Sequence, residues 1–251
     1  MPKPVVQPVK PSQRRFLKTL VVGDVGVGKT RFVGSAQQDP RTSPLLILDF
    51  EGGTSSLVGI DVDILPIRTW EDYEAAYDYI LDHPNTYRSV AIDSVTETHV
   101  FALLNILEEE ADDRRTRGQA TDVLQQSDYG RALVQMRRLL RAFRDLDCHI
   151  FFTALSQEVL EPGVGVVKKA SLAGRLSDEI PGLMDVVCFL TLADPPTPRS
   201  LRDEKPQGSR CLILKNHPRY RAKVRTPWVS SIPDILWDPT VTSLFDALGI
   251  D

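Results

Sequence analysis

Hydrophobic residues in this chain fall into short continuous runs, separated by longer stretches in which apolar positions recur every three to four residues. The runs at 17–22, 44–49, 63–67, 89–93 and 149–154 carry consecutive apolar residues over most of their length. That pattern suits strands buried on both faces. Amphipathic stretches at 29–38, 70–82, 94–110 and 128–146 separate most of them. In the last of these, Leu133, Met136, Leu140, Phe143 and Leu146 share one helical face and are expected in the core. Strands alternating with helices predict an α/β fold, a mainly parallel twisted sheet with helices on both faces.

The last third reads differently. Runs at 186–192 and 210–214 are separated by a Pro-rich segment, so antiparallel strands are expected at the C-terminal side of the sheet. A short helix is expected at 239–248, after Asp238-Pro239. Pro2, Pro4, Pro8 and Pro11 exclude a helix from residues 1–13, which read as a flexible arm before a single domain at 14–251.

Composition narrows the function only slightly. A chain of 251 residues with 42% hydrophobic and 25% charged residues is an ordinary globular protein. Its net charge of -4 gives no global attraction to nucleic acid, leaving that role to a local basic groove. Cys148, Cys188 and Cys211 sit in or beside apolar runs without metal-ligand spacing and read as small buried hydrophobes. The start Met1-Pro2-Lys3-Pro4 lacks a signal-peptide core and no apolar run is long enough to cross a bilayer, so a cytoplasmic location away from membranes is expected.

The chemistry is concentrated after the first strand. Gly23, Asp24, Val25, Gly26, Val27, Gly28, Lys29 and Thr30 match G-x-x-x-x-G-K-[ST], with an apolar strand leading in and a helical segment, beginning Lys29-Thr30-Arg31, leading out. The glycines let successive backbone N–H groups turn toward a phosphate chain, and the helix N-terminus adds partial positive charge. Lys29 is expected at the β- and γ-phosphates and the Thr30 hydroxyl on Mg²⁺. The run at 89–93 ends in Asp93, which suits the metal's carboxylate, although Asp93 or Ser94 also suits the cap of the next helix. Ser94 follows Asp93 where many P-loop ATPases have a glutamate. The water-activating base is therefore sought on the neighbouring strand, in Glu51, with Asp49 the competitor.

Taken in order, these features resemble the RecA-like recombinase ATPases. They are especially similar to the single-domain RecA-like ATPases of bacteriophages, associated with single-strand annealing and recombination. The residues that carry the resemblance are Asp49-Phe50-Glu51-Gly52-Gly53, Ala91-Ile92-Asp93-Ser94, Ser127-Asp128-Tyr129-Gly130 and Leu172-Ala173-Gly174-Arg175, within 16–225. The resemblance implies a Mg²⁺-dependent ATPase using Lys29, Thr30, Asp93 and Glu51. It further implies self-association into a ring or filament, single-stranded DNA as ligand, and a single-strand-binding protein as a further partner. A phosphate sensor is expected at the end of the 149–154 strand, where Thr153 and Ala154 replace the Asn-Gln pair of RecA and Gln157 follows. Lys215, with Arg219 second, matches the cation that such assemblies donate to the next subunit. The DNA-contacting positions fall on Arg114, Arg115 and Arg117, and on Lys168 and Lys169 in a glycine-bearing loop. On the residues alone, helical ion pairs with Glu108–Glu110, Asp112 and Asp113 also account for Arg114 and Arg115.

Two other functions are compatible with a phosphate loop. A small GTPase would add Asn-Lys-x-Asp, which does not occur in the chain. A module whose nucleotide only switches its assembly would keep the same loop without using its turnover.

Overall fold

The computed structural model describes residues 16–118, 120–193, 208–215, 217–225 and 232–250. The expected arm at 1–13 and most of the Pro-rich segment after the 186–192 run lie outside the described residues.

Each expected apolar run forms a strand: β1 (Lys18–Gly23), β2 (Leu45–Asp49), β3 (Asp63–Pro66), β4 (Ser89–Asp93) and β5 (His149–Glu161). The later strands are β6 (Gly165–Ala170), β7 (Val186–Leu192), β8 (Arg210–Ile213), β9 (Lys223–Val224) and β10 (Ile235–Trp237). The sheet runs β10-β8-β7-β1-β5-β4-β2-β3, with β6 pairing β5 and β9 pairing β7. Pairs among β1, β2, β3, β4, β5 and β7 are parallel, whereas β8 and β9 join β7, and β10 joins β8, antiparallel.

The helices are α1 (Lys29–Gly34), α2 (Trp70–Asp82), α3 (Val95–Thr116), α4 (Gln126–Arg144), α5 (Leu176–Leu183) and α6 (Val241–Leu248). Because side chains alternate along a strand, Leu20 and Val22 of β1 enter one apolar layer with Met136 and Phe143 of α4. Val21 enters the opposite layer with Phe32 of α1 and Phe245 of α6. The two layers account for strands that are hydrophobic at every position.

Four elements depart from the pattern-based expectation. The 29–38 helix ends at Gly34 and continues as a 3-10 turn at Ser35–Gln38. Here the Ser35 hydroxyl donates to Phe32 O at 2.6 Å and accepts from Val241 N at 2.8 Å, which docks α6. The 94–110 helix continues to Thr116, because Arg114 on its last turn is drawn into the interior by Glu110 and Asp128. The 149–154 strand continues to Glu161, and the expected loop around 163–169 is instead the returning strand β6 of an antiparallel hairpin. Gly163 with φ 76° makes the turn of that hairpin. The short α5, β9 and β10 had no clear pattern of their own.

Cys148, Cys188 and Cys211 are buried and unpaired, and burial pushes the thiols of Cys148 and Cys211 up to about 11. Among the described residues no helix is long and apolar enough to cross a membrane.

Candidate nucleotide site

β1 lies at the centre of the sheet between β5 and β7, and the chain leaves its C-terminal end through the glycine-rich loop. Gly26 and Gly28 have φ of 73° and 101°, left-handed values that a side chain opposes. Gly23 faces a different constraint. A Cβ there would stand 2.6 Å from the carbonyl oxygen of Leu190 on β7. Gly28 caps α1, its carbonyl accepting from Phe32 N at 2.9 Å, so the helix begins at Lys29 with its amides directed into the loop. The Lys29 ammonium donates to the carbonyls of Gly23 and Asp24 at 3.1 and 3.0 Å. Burial lowers its pKa, against the opposing charges of Glu51, Asp93 and Asp24.

The ends of β4 and β2 complete the cluster. Thr30 Oγ1 donates to Asp93 Oδ2 at 2.6 Å, joining residues 63 positions apart in the chain. Thr153 of β5 donates to the other Asp93 oxygen. Burial raises the Asp93 pKa, although the Thr153 and Thr30 hydrogen bonds oppose it. A hydroxyl and a carboxylate in contact are the hard oxygen donors that Mg²⁺ takes, so the residues fit that ion. Among the described residues there is no group of three His, Cys, Asp or Glu side chains that would hold a metal alone. Phosphate and water would therefore supply the remaining ligands.

Asp49 and Glu51 have different tasks. Asp49 is buried, and its Oδ1 accepts from the backbone N–H groups of Glu51 and Gly52 at 3.1 and 2.8 Å. It holds the turn after β2. Glu51 projects beyond that turn and accepts a hydrogen bond from the Ser94 hydroxyl.

The loop is fastened on both flanks by residues that the motifs did not single out for it. The Asp24 carboxylate accepts from Ser156 of β5 and, at 2.7 Å, from Lys168 of β6. On the other flank, Arg210 of β8 donates through Nε to Val27 O at 3.0 Å. A cavity of about 590 Å³ opens beside that flank, lined by Gly28, Arg31, Phe32, Val58, Arg210 and Pro239 among others. Antiparallel pairing of the 210–214 strand places Arg210 at the phosphate end, a consequence of strand direction that the sequence pattern already contained.

Over residues 15–226 the sequence matches the AAA_24 family, described as an AAA domain. The chain belongs to that family. No curated protein matches it. Solved structures that are similar to it at low identity include three ATPases or accessory proteins. An ATPase of the type III secretion system of pathogenic bacteria is 17% identical, covering 75% of this chain and 54% of the other, at a TM-score of 0.38. ATPases 2 and 3 of EssC from Geobacillus thermodenitrificans are 14% identical, with 78% and 34% covered and a TM-score of 0.33. The flagellar accessory protein FlaH from Methanocaldococcus jannaschii is 10% identical, with 88% of both chains covered and a TM-score of 0.34. The chain thus spans about half and about a third of the first two. The central parallel sheet, the loop after β1 and the family match make this an ATP-binding AAA domain of RecA-like P-loop ATPase fold.

The remaining expected site residues lie elsewhere on this AAA domain. Arg114 is corrected: at 1% exposure it is a core residue, bonded to Glu110, Asp128 and the Val123 carbonyl, and it cannot reach nucleic acid. Arg115 and Arg117 are exposed at the end of α3 and pair with Asp112 and Asp113. Lys168 points at Asp24, and Lys169 pairs with Asp178 at 2.8 Å. Lys215 pairs with Asp234 at 2.8 Å on the β8 side of the sheet. Arg219 lies beside β6, its carbonyl accepting from Lys168 N at 2.7 Å. Gln157 donates to the Ala170 carbonyl within the hairpin, while Thr153 faces Asp93.

Proposed function

We propose that this AAA domain hydrolyses ATP with Mg²⁺ at the loop formed by Gly23–Thr30 and uses the cycle on single-stranded DNA, in recombination or strand annealing. One observation carries the catalytic half: Thr30, Asp93 and Glu51 arrive from three separate segments and surround Lys29. Mg²⁺ on Thr30 and Asp93 would neutralise charge on the β- and γ-phosphate oxygens. The loop amides and Lys29 hold the phosphate chain in line. Glu51, held by Ser94, takes the proton of the attacking water, and the γ-phosphoryl group passes to that water with ADP leaving. The cavity beside Gly28 suits the nucleoside, with Arg31 and Arg210 among the residues that line it.

The DNA half rests on the resemblance of the ordered motifs and on the exposed Arg115 and Arg117, which suit phosphate contacts. Self-association belongs to the same reading, with Lys215 or Arg219 completing a neighbouring site and a single-strand-binding protein as a cytoplasmic partner. The test combines turnover with binding. Glu51→Gln should cut ATPase activity at least ~100-fold while nucleotide affinity stays within ~3-fold. Unchanged turnover would refute the assigned base. Single-stranded DNA should stimulate wild-type turnover and bind with strong salt dependence. Absence of both effects removes the DNA half and leaves the ATPase.

A further inference from the structure

The hairpin of β5 and β6 reaches the phosphate loop through a single side chain of that loop. Asp24 is its second residue, and its carboxylate receives the Ser156 hydroxyl from one strand and the Lys168 ammonium from the other. Lys168 is also 4.0 Å from Glu158, but the bond to Asp24, at 2.7 Å, is much the closer. The backbone of Lys168 is bonded in turn to Arg219 and Arg221, and Arg221 pairs with Glu161. The hairpin and the 219–221 segment are therefore one mechanical unit. At its far end the hairpin exposes Leu160, Val164 and Val166.

An aspartate at this position poses an electrostatic problem. Its carboxylate lies within electrostatic reach of Lys29, in a cradle built for a polyanion. Unscreened, it repels the phosphate chain and competes for Lys29. Docked Lys168 cancels that charge.

We infer that Lys168 is a positioning residue of the nucleotide site, screening Asp24 so that the phosphate loop accepts a triphosphate. The inference rests on the nucleotide reading given above and adds a regulatory link to it. Coupling between sites is reciprocal, so if docking of the hairpin favours nucleotide, nucleotide favours the docked hairpin by the same factor. A filled loop thus locks the hairpin at 156–170 in place and fixes the apolar tip, while an empty one leaves that hairpin easier to detach from the loop. The 149–155 part of β5 stays in the central sheet.

The test measures affinity and hairpin protection on the full chain, using a slowly hydrolysed ATP analogue with Mg²⁺. Lys168→Met should weaken binding about tenfold, the order expected for loss of one partly exposed charge near a polyanion. Lys168→Arg should retain affinity, and the Asp24→Asn/Lys168→Met double variant should recover it to within ~3-fold, because no carboxylate remains to be screened. The analogue should slow amide hydrogen exchange in residues 156–170 of the wild type, and much less in Lys168→Met. Equal affinity of Lys168→Met and wild type overturns the inference. So does a double variant as weak as Lys168→Met, which would mean that Lys168 acts on the phosphates directly. A wild-type chain that binds no nucleotide defeats the nucleotide reading itself.

Discussion

Replacing Arg114 by methionine separates a structural arginine from a nucleic-acid contact. The guanidinium is 1% exposed and makes charged bonds of 2.7 Å to Asp128 and 2.9 Å to Glu110, with a third bond of 2.8 Å to the Val123 carbonyl. Without it, Asp128 is left buried with the Gln125 N–H, at 2.6 Å, and the Ser127 hydroxyl as neutral donors. Breaking a buried ion pair from one side costs about 3–5 kcal/mol. Asp128 can protonate in response, which favours the lower end, so about 3 kcal/mol is expected. With an m-value of roughly 2–3 kcal/mol/M, the urea midpoint should fall by about 1 M. Asp128→Asn in the same background should add less than its effect alone, since the two residues share one interaction. The pH dependence has a definite sign. Burial acts to raise the Asp128 pKa, but the hydrogen bond and charge of Arg114, with the Gln125 N–H and the Ser127 hydroxyl, together outweigh it and hold the carboxyl below its ordinary value. This pair's contribution is therefore complete above an unfolded pKa of about 3.9 and is lost as pH falls through the folded value. The gap between wild type and variant should close on acidification. A wild-type midpoint for Arg114→Met, combined with weakened DNA binding, would show that the side chain works at the surface and that the reasoning is wrong.

Four further changes probe the site and its support. Thr153→Val keeps the shape but removes a buried donor from Asp93; the Mg²⁺ requirement of turnover should rise about 10–100-fold, and an unchanged Mg²⁺ titration would count against Asp93 as the metal carboxylate. Gly23→Ala sets a Cβ 2.6 Å from a β7 carbonyl that cannot swing aside, so nucleotide affinity by calorimetry should drop at least ~10-fold with about 1–3 kcal/mol of stability. Gly34→Ala meets only the end of the Leu57 side chain and should cost less; the reverse ranking contradicts the packing argument. Burial lowers Lys18 from 10.5 to about 8, against the charges of Cys148, Asp185, Asp147 and Asp145. Between those pH values the unfolded chain holds a proton that the folded chain has released, so the Lys18 contribution to stability rises with pH by about 2–3 kcal/mol across that interval. The buried thiols contribute in the opposite direction, because their raised pKa keeps their protons in the folded chain. Lys18→Met should remove the rising contribution, making the slope of stability against pH more negative than in wild type in urea melts taken from pH 7 to 10.5, and an equal slope would exclude Lys18 as its source.

The parallel half of the fold was legible because burial on both faces writes itself as uninterrupted apolar runs, and β1, β2, β4 and β7 show no other pattern. Strands that grow on a partner left weaker traces. β6 exists because Val159 and Leu160 meet Val167 and Val166 across the hairpin, a pairing that single-chain periodicity does not encode. The site divides in the same way. Lys29 and Thr30 followed from their motif, and Asp93 and Glu51 from strand ends. The second bonds of these residues did not follow: Thr153 to Asp93, Ser94 to Glu51 and Lys168 to Asp24 depend on which strands become neighbours. Arg114 misled because a basic run beside acids looks alike whether it is solvated or folded inward; only the approach of α4 turns one arginine into core.

The burial of all three native thiols makes the chain nearly silent to thiol reagents while it stays folded. With burial holding Cys148 and Cys211 up at about 11, little thiolate forms near neutrality while the interior stays closed. A single cysteine placed at the exposed Val164 would then take a dye or spin label selectively in the otherwise native sequence. The same silence makes the native thiols an unfolding clock, because their labelling rate counts how often the interior opens.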